Sequence, residues 1–157
     1  MSAIKYVQGD ATSPIGPGNK FIVHVCNDIG AWGAGFVLAI SRRWDEPEAM
    51  YRKWFRVDHD FKLGRIQRVQ VEEDITVVNM IAQNGVGVNA RGNIPLRYTM
   101  VAECLRKVAK RASEVGASVH MPRIGCGLAG GSWPAIEKII EDTLLAVNLE
   151  VVVYDFE

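Results

Sequence analysis

Apolar positions along the chain recur with two different periods. Short runs rich in branched apolar residues predict strands at residues 4–7, 21–26, 65–71, 76–81, 117–121 and 149–154. Apolar positions spaced three or four residues apart predict helices at about 36–44, 47–55 and 95–115, and a fourth that begins near Pro134. Pro95 and Gly116 are typical of the start and the end of the longest helix.

Strands and helices alternate through the whole sequence. The final strand, 149–154, is almost continuously apolar, which indicates an interior strand with parallel neighbours. The acidic turn 72–74 joins two strands that we expect to pair antiparallel. These patterns predict an α/β protein: a three-layer α/β/α sandwich with a mixed, mostly parallel sheet, formed by residues 1–157 as one domain. The long loop 83–94 is expected to be functional.

Composition narrows the class of protein. Hydrophobic residues make up 48% and charged residues 23%, as in ordinary globular domains rather than disordered chains. Because 18 Lys and Arg balance 18 Asp and Glu without long runs of like charge, we expect no broad nucleic-acid surface. The longest apolar runs are too short to span a membrane, so no membrane partner is expected.

Three cysteines without metal-ligand spacing indicate a reducing compartment and no structural zinc. A cytoplasmic location is expected because MSAIKYVQGD lacks the apolar stretch of a signal peptide. No cofactor is expected, and no ligand cluster demands a metal, although a diphosphate and Asp28 could share a divalent ion.

Two glycine-rich segments each follow a predicted buried strand. They are Gly30–Gly35 (GAWGAG) and Gly125–Gly131 (GCGLAGG). Glycine allows backbone N–H groups to approach a phosphate closely, and a helix that follows adds a favourable dipole. Two such loops at the carboxyl ends of parallel strands predict a diphosphate held between them. The alternative is that both are only tight strand-to-helix turns.

The second loop also satisfies G-x-G-x-x-G through Gly125, Gly127 and Gly130, which is typical of nicotinamide dinucleotide sites. Asp155 could then serve as the acid that binds the ribose. That motif belongs near the start of a βαβ unit with more sheet to follow, whereas here one helix and one strand remain. The sequence contains no P-loop, G-x-S-x-G or H-E-x-x-H motif, which excludes those enzyme classes.

Four segments together resemble the macro domain, an ADP-ribose-binding family. They are QGDAT at 8–12, HVCND at 24–28, WGAG at 32–35 and PRIGCGL at 122–128. The resemblance covers nearly the whole chain in the right order. The last segment is similar to the branch that contains the terminal ADP-ribose protein glycohydrolase and the ADP-ribose-1″-phosphate phosphatases.

The resemblance implies that the partner is ADP-ribose or ADP-ribose-1″-phosphate, alone or as ADP-ribose on modified macromolecules. It implies that Asp10 accepts a hydrogen bond from the adenine amino group and that Asn27 lies beside the distal ribose. Each side chain could instead simply hold a turn. Trp32 could shield the ribose or anchor its loop on the core. The implied binding residues are Gly9, Asp10, Ala11, Asn27, Trp32, Gly33, Ala34, Gly35, Pro122, Gly125, Cys126, Gly127, Leu128, Ala129 and Gly130.

The glycohydrolase branch uses a lysine and an aspartate that this chain lacks. Their positions hold Ala82 or Gln83, and Ala129, so the lysine-adduct route is not expected. The phosphatase-like relatives are the nearer model, which makes hydrolysis of an ADP-ribose derivative at the distal ribose, with the 1″-phosphate favoured, the expected activity. The alternatives are a non-catalytic ADP-ribose reader and a hydrolase that removes ADP-ribose from protein or DNA.

Three residues near the first glycine loop are candidates for catalysis. Asn27 could position the ribose or a water, while Asp28 or His24 could transfer a proton. His24 lies within an apolar strand and could equally be a core histidine, and Asp28 could cap the loop. Cys126, at a possible helix N-terminus, could have a lowered pKa and act as a nucleophile, or could be only a small residue in a phosphate loop.

Overall fold

A computed structural model describes residues 3–88 and 91–156 of the chain. Residues 89 and 90 of the predicted functional loop lie outside this description. The strands are β1 (Lys5–Gln8), β2 (Lys20–Asn27), β3 (Ile66–Glu72), β4 (Ile75–Gln83), β5 (Ser118–Met121) and β6 (Val151–Asp155). The helices are α1 (Phe36–Arg43), α2 (Glu46–Val57), α3 (Tyr98–Val115) and α4 (Trp133–Thr143), with a single 3₁₀ turn at Leu145–Val147.

The six strands form one sheet in the order β1-β6-β5-β2-β4-β3. All neighbouring pairs are parallel except β3 with β4, which is antiparallel. The predicted mixed, mostly parallel sheet is therefore confirmed. β6 lies between β1 and β5 with parallel neighbours, as its continuous apolar sequence predicts. The five parallel strands bring their carboxyl ends to one edge of the sheet, where open α/β sheets bind ligands.

Helices cover both faces of the sheet and give the predicted three layers. On one face, α3 and α4 bury Leu105 and Ile136 against the central strands. On the other face, α1 and α2 enclose a smaller core that contains Ile40 and Tyr51. Among the described helices, none is both long enough and apolar enough to cross a membrane.

The longest helix begins three residues later than Pro95 predicts. The N–H of Asn84 donates to the Pro95 carbonyl at 2.8 Å, and the Arg97 N–H donates to the Ala82 carbonyl at 2.9 Å. The Leu96 N–H donates to the Ala129 carbonyl at 3.3 Å, so residues 95–97 are extended and join the end of β4 to the second glycine loop. Tertiary hydrogen bonds, rather than local helix signals, therefore set the start of α3. Its predicted end is confirmed, since Gly116 adopts a left-handed conformation with φ of 66°.

Candidate functional site

Three depressions lie along the carboxyl edge of the sheet. A central cleft of about 220 Å³ lies between the two glycine loops. A cavity of about 450 Å³, the β4-side cavity, shares five lining residues with this cleft: Val25, Ala34, Val37, Gln83 and Leu128. At the other end, the β1-side cavity of about 320 Å³ is lined by Gln8, Gly9, Asp10 and Phe156. The edge therefore offers an elongated site, such as an extended dinucleotide would need.

The amide of Asn27 holds the first glycine loop. Its Oδ1 accepts hydrogen bonds from the N–H groups of Ile29 (3.1 Å) and Ala31 (3.0 Å), and its Nδ2 donates to the Ala31 carbonyl at 2.8 Å. The Tyr51 hydroxyl lies 3.0 Å from the same Oδ1 and 2.6 Å from the Asn27 carbonyl. The structure thus gives Asn27 the turn-holding role that the sequence left open, at a position that lines the β4-side cavity.

Trp32 fastens the first loop to the core beneath it. Only 3% of the residue is exposed, and its indole N–H donates to the Ser41 hydroxyl at 2.8 Å. Its ring lies 5.4 Å, between centroids, from both His24 and Tyr51. The indole therefore anchors the loop; the residue also lines the β4-side cavity, so the shielding role stays a prediction. This anchor leaves Gly33, Ala34 and Gly35 exposed immediately before α1, with Ala34 and Gly35 on the central cleft and Gly33 on the β4-side cavity.

The second glycine loop is held by packing rather than by a side-chain amide. Gly125 and Gly130 have positive φ of 73° and 80°, and a Cβ on either would contact Leu96 or Ile94 at 3.0 Å or less. Gly127 differs, because a Cβ there would meet no atom within 4 Å. This loop leads into α4, which begins at Trp133 with Pro134 in its first turn, as predicted.

Cys126 lacks the features of an activated nucleophile. It is not at a helix N-terminus, and burial raises the pKa of its thiol, with Arg123 opposing the shift only in part. The expectation of a lowered pKa is therefore wrong. The thiol instead lies 3.4 Å from the Ile124 carbonyl, as a small side chain within the loop.

His24 is among the residues that line the central cleft, but only 2% of it is exposed. Its Nε2 is 2.5 Å from Oδ1 of Asn79, and burial lowers the pKa of the imidazole to about 4. A neutral ring, screened by Trp32 and Phe36, suits the core role rather than proton transfer.

Both carboxylate oxygens of Asp28 accept hydrogen bonds from the loop that follows β4. Oδ1 accepts from the Gly85 N–H at 2.7 Å, and Oδ2 accepts from Nδ2 of Asn84 at 2.9 Å. The side chain thus bridges from the end of β2 to the end of β4, as the loop-holding alternative predicts.

Asp10 also forms a turn, but its carboxylate still lies at the carboxyl edge of the sheet. Its Oδ1 accepts hydrogen bonds from the N–H (2.8 Å) and the hydroxyl (2.7 Å) of Thr12. The carboxylate lines the β1-side cavity beside Phe156, which is 76% exposed. Phe156 was not among the predicted site residues; the available signal was an aromatic residue directly after the last strand. Tyr154, by contrast, is buried and bonds to Ile15 and His120.

An arginine lines the central cleft. The Arg123 guanidinium carbon lies 5.1 and 5.2 Å from the ring centroids of Tyr6 and Trp133, and the guanidinium donates two hydrogen bonds to the Asp155 carboxylate. The same bonds lower the pKa of Asp155. The acid that a nicotinamide site would need for its ribose is therefore already paired, which counts against that alternative.

The positions of the missing lysine and aspartate hold side chains that cannot replace them. Ala82 and Ala129 are buried, and the Gln83 amide donates to the Gly85 carbonyl at 2.9 Å. Within residues 3–88 and 91–156, no cluster of His, Cys, Asp or Glu is arranged to hold a metal ion.

No protein-family model matches the chain. Among curated proteins, the chromodomain-helicase-DNA-binding protein 1-like of Danio rerio is 32% identical over 98% of this chain, but the match covers 16% of that protein. The chain thus spans about a sixth of that relative. An ADP-ribose 1″-phosphate phosphatase of Saccharomyces cerevisiae is 23% identical, and the match covers 90% of this chain and 93% of that enzyme.

Solved structures agree with the observed fold. A macrodomain protein from Streptomyces coelicolor is 52% identical, with a TM-score of 0.85 and coverage of 97% of this chain and 98% of that one. A protein of unknown function from Bacteroides thetaiotaomicron is 51% identical, with a TM-score of 0.96 and 97% coverage of both chains. DarTG of Thermosipho africanus, solved with ADP-ribose, is 14% identical with a TM-score of 0.79. The match covers all of this chain and 42% of the DarTG chain, and at this identity it shows a shared fold alone.

Proposed function

Because the chain belongs to the macrodomain family, we propose that it binds ADP-ribose along the carboxyl edge of its sheet. The observation that carries this proposal is the pair of glycine loops at this edge, each with one unobstructed glycine: Gly127 lines the central cleft, and Gly33 lines the β4-side cavity beside it. Gly33 and Gly127 lack positive φ, and a Cβ on either would meet no atom within 4 Å. The fold does not require glycine there, whereas close approach of a diphosphate to backbone N–H groups does.

The β1-side cavity suits the adenine. Asp10 Oδ1 is used by Thr12, and Oδ2 is then the oxygen that accepts from the adenine amino group. The exposed ring of Phe156, which lines the same cavity, offers an apolar face on which a base can stack. The diphosphate would then cross the central cleft, and the distal ribose would enter the β4-side cavity.

Calorimetric titration with ADP-ribose, ADP and NAD tests this assignment. We expect ADP-ribose to bind most tightly, because only it carries both the adenine and a free distal ribose. A preference for NAD would favour the nicotinamide alternative, and failure to bind any of the three would contradict the proposal.

Replacing Asp10 with Asn tests the adenine contact separately. Asn keeps an oxygen for the Thr12 turn but presents an NH₂ group where adenine also has one, so affinity for ADP-ribose should fall about tenfold. The analogue with hypoxanthine in place of adenine offers an acceptor instead, and the variant should prefer it. Equal losses for both bases would contradict the role of Asp10.

The finer proposal is hydrolysis at the distal ribose, with ADP-ribose-1″-phosphate as the first substrate to test. The similarity to the yeast phosphatase over 90% of the chain supports it. ADP-ribose carried on proteins or DNA would differ only in the leaving group. The buried His24 and the loop-bound Asp28 leave proton transfer without an obvious side chain, and this observation favours the reader alternative.

A phosphate-release assay on ADP-ribose-1″-phosphate separates these possibilities. Release above the uncatalysed rate establishes the phosphatase. If ADP-ribose binds tightly but no phosphate is released, assays on ADP-ribosylated protein and DNA follow. Removal of ADP-ribose from either establishes a hydrolase with another leaving group, and no removal establishes a reader.

A further inference from the structure

Two consecutive residues at the end of β2 hold two different walls of the β4-side cavity. Asn27 holds one wall through its bonds to residues 29 and 31 of the first glycine loop. Asp28 holds the other through its bonds to residues 84 and 85 of the loop that follows β4. That loop continues to Val86 and Gly87, which line the cavity.

The wall that contains Val86 has little else to fix it. Val86 is 58% exposed, so apolar packing contributes little to its position. Gly85 and Gly87 both have positive φ, and a Cβ on either would meet no atom within 4 Å. In an exposed segment with two flexible glycines, polar bonds must define the conformation.

Among the described residues, the Asn84 N–H donates to the Pro95 carbonyl at 2.8 Å, and four further hydrogen bonds define residues 83–85; Asp28 takes part in three of these four. Its carboxylate accepts from the Gly85 N–H and from Asn84, and its own N–H donates to the Gln83 carbonyl at 3.0 Å. The fourth is the bond from the Gln83 amide to the Gly85 carbonyl. The register between β2 and β4 shifts at this point, between Cys26 and Asn27, which directs the chain away from the ladder.

We propose that Asp28 is a positioning residue that sets the β4-side wall of the cavity, and thereby the affinity for the distal ribose. It acts through the loop at 84–87 and neither transfers a proton nor contacts the adenine or the diphosphate. Asn27 plays the corresponding part for the wall that the first glycine loop forms. The ligand assignment within this proposal rests on the proposed function; the role of Asp28 in holding the loop does not.

The test compares Asp28→Ala with Asp28→Asn, using Asp142→Ala as the matched control. Asp142 forms an exposed ion pair on α4 and is not in the site. Asn at 28 keeps an acceptor for the Gly85 N–H, and the Asn84 amide can turn to face it. We expect Asp28→Ala to weaken ADP-ribose about tenfold and to leave ADP, which lacks the distal ribose, within about twofold. Asp28→Asn should recover most of the loss.

Hydrogen exchange of the backbone amides tests the wall without any ligand. Asp28→Ala should speed exchange at residues 84–88, while Asp28→Asn and the control should not. Gln83→Ala, which removes the fourth bond and leaves Asp28 in place, should have a smaller effect in the same direction. This variant also keeps the proposal testable if Asp28→Ala fails to fold.

Several results would overturn the proposal. These are unchanged exchange at 84–88 in Asp28→Ala, equal losses for ADP-ribose and ADP, or an Asn variant as impaired as the Ala variant. An Asp28→Asn variant that binds ADP-ribose normally but has lost all turnover would instead assign Asp28 to proton transfer. If the wild-type chain binds neither ADP-ribose nor ADP, the proposed function fails, and exchange alone decides the role of Asp28.

Discussion

The two glycine loops flank the same cleft but are held there by different physics. The first depends on a buried indole, which packs into the layer of α1 and α2, and on the amide of Asn27, which bonds to the loop itself. The second depends on close contact between its glycines and the apolar side chains of Ile94 and Leu96. Similar glycine-rich sequences therefore do not imply similar constraints on each glycine.

This difference separates glycines that the fold needs from those that a ligand needs. Gly125, Gly130 and Gly131 are required because a side chain would strike a neighbour or force an unfavourable φ. Gly33 and Gly127 have neither constraint. Each loop thus contains glycines that the fold requires and one unobstructed glycine, which lines the β4-side cavity in the first loop and the central cleft in the second.

The largest effect should come from removing the anchor of the first loop. Trp32→Ala deletes a buried ring and should lower the free energy of unfolding by about 3–5 kcal/mol, measured by urea denaturation. Trp133→Ala is the control, because this indole is only partly buried at the start of α4 and should cost less. Equal losses would show that the first loop does not depend on its indole.

The next largest effect should be a loss of folding stability in acid, through the histidine that packs beneath the first loop. His24 has a pKa of about 4 when folded and about 6.5 when unfolded, so below pH 6.5 the unfolded chain binds a proton that the native ring does not. Stability should therefore fall between pH 6.5 and pH 4, by up to roughly 3 kcal/mol for this group. His120, whose pKa burial also lowers to about 4, contributes in the same direction.

Replacing each of these histidines with Gln separates the two contributions to the pH dependence. His24→Gln should reduce the dependence of the free energy of unfolding on pH. In this variant, amide exchange at residues 30–35 should no longer become faster at low pH. If residues 125–131 loosened first in the wild-type chain, the assignment of His24 to the first loop would be wrong.

Adding a single methyl group should distinguish the glycines of the second loop. A Cβ on Gly131 would lie 2.4 Å from Leu96 Cδ2 and 2.5 Å from the Gly125 oxygen, so Gly131→Ala should cost about 1–3 kcal/mol. Gly127→Ala should stay within about 0.5 kcal/mol of wild type. Thermal melting of both variants checks this contrast, which disappears if the loop can shift as a unit.

The smallest effect on stability, but a clear one on binding, is expected from valine at the open glycines. Gly33→Val and Gly127→Val should each weaken ADP-ribose at least about tenfold while the melting temperature stays near that of wild type. Calorimetry and thermal melting are run on the same samples. Normal binding by either variant would show that its loop does not approach the ligand closely.

The layers and the sheet follow from local patterns that tertiary contacts did not override. The continuous apolar run that forms β6 predicted an interior parallel strand, and Gly116 predicted the end of α3. The start of α3 was not predictable from Pro95, because residues 95–97 pair with β4 and with the second loop. Local helix signals carry no information about such distant partners.

The sequence by itself determined the fold class and the two loops, because hydrophobic periodicity and glycine content are local properties of the chain. Only the tertiary structure decided what the side chains at the site do. Asn27, Asp28 and Trp32 lie at the predicted place but face the loops and the core, and the ring of Phe156 joins Asp10 although 146 residues separate them. The direction of a side chain depends on which distant atoms meet it, and only the packed chain brings those atoms together.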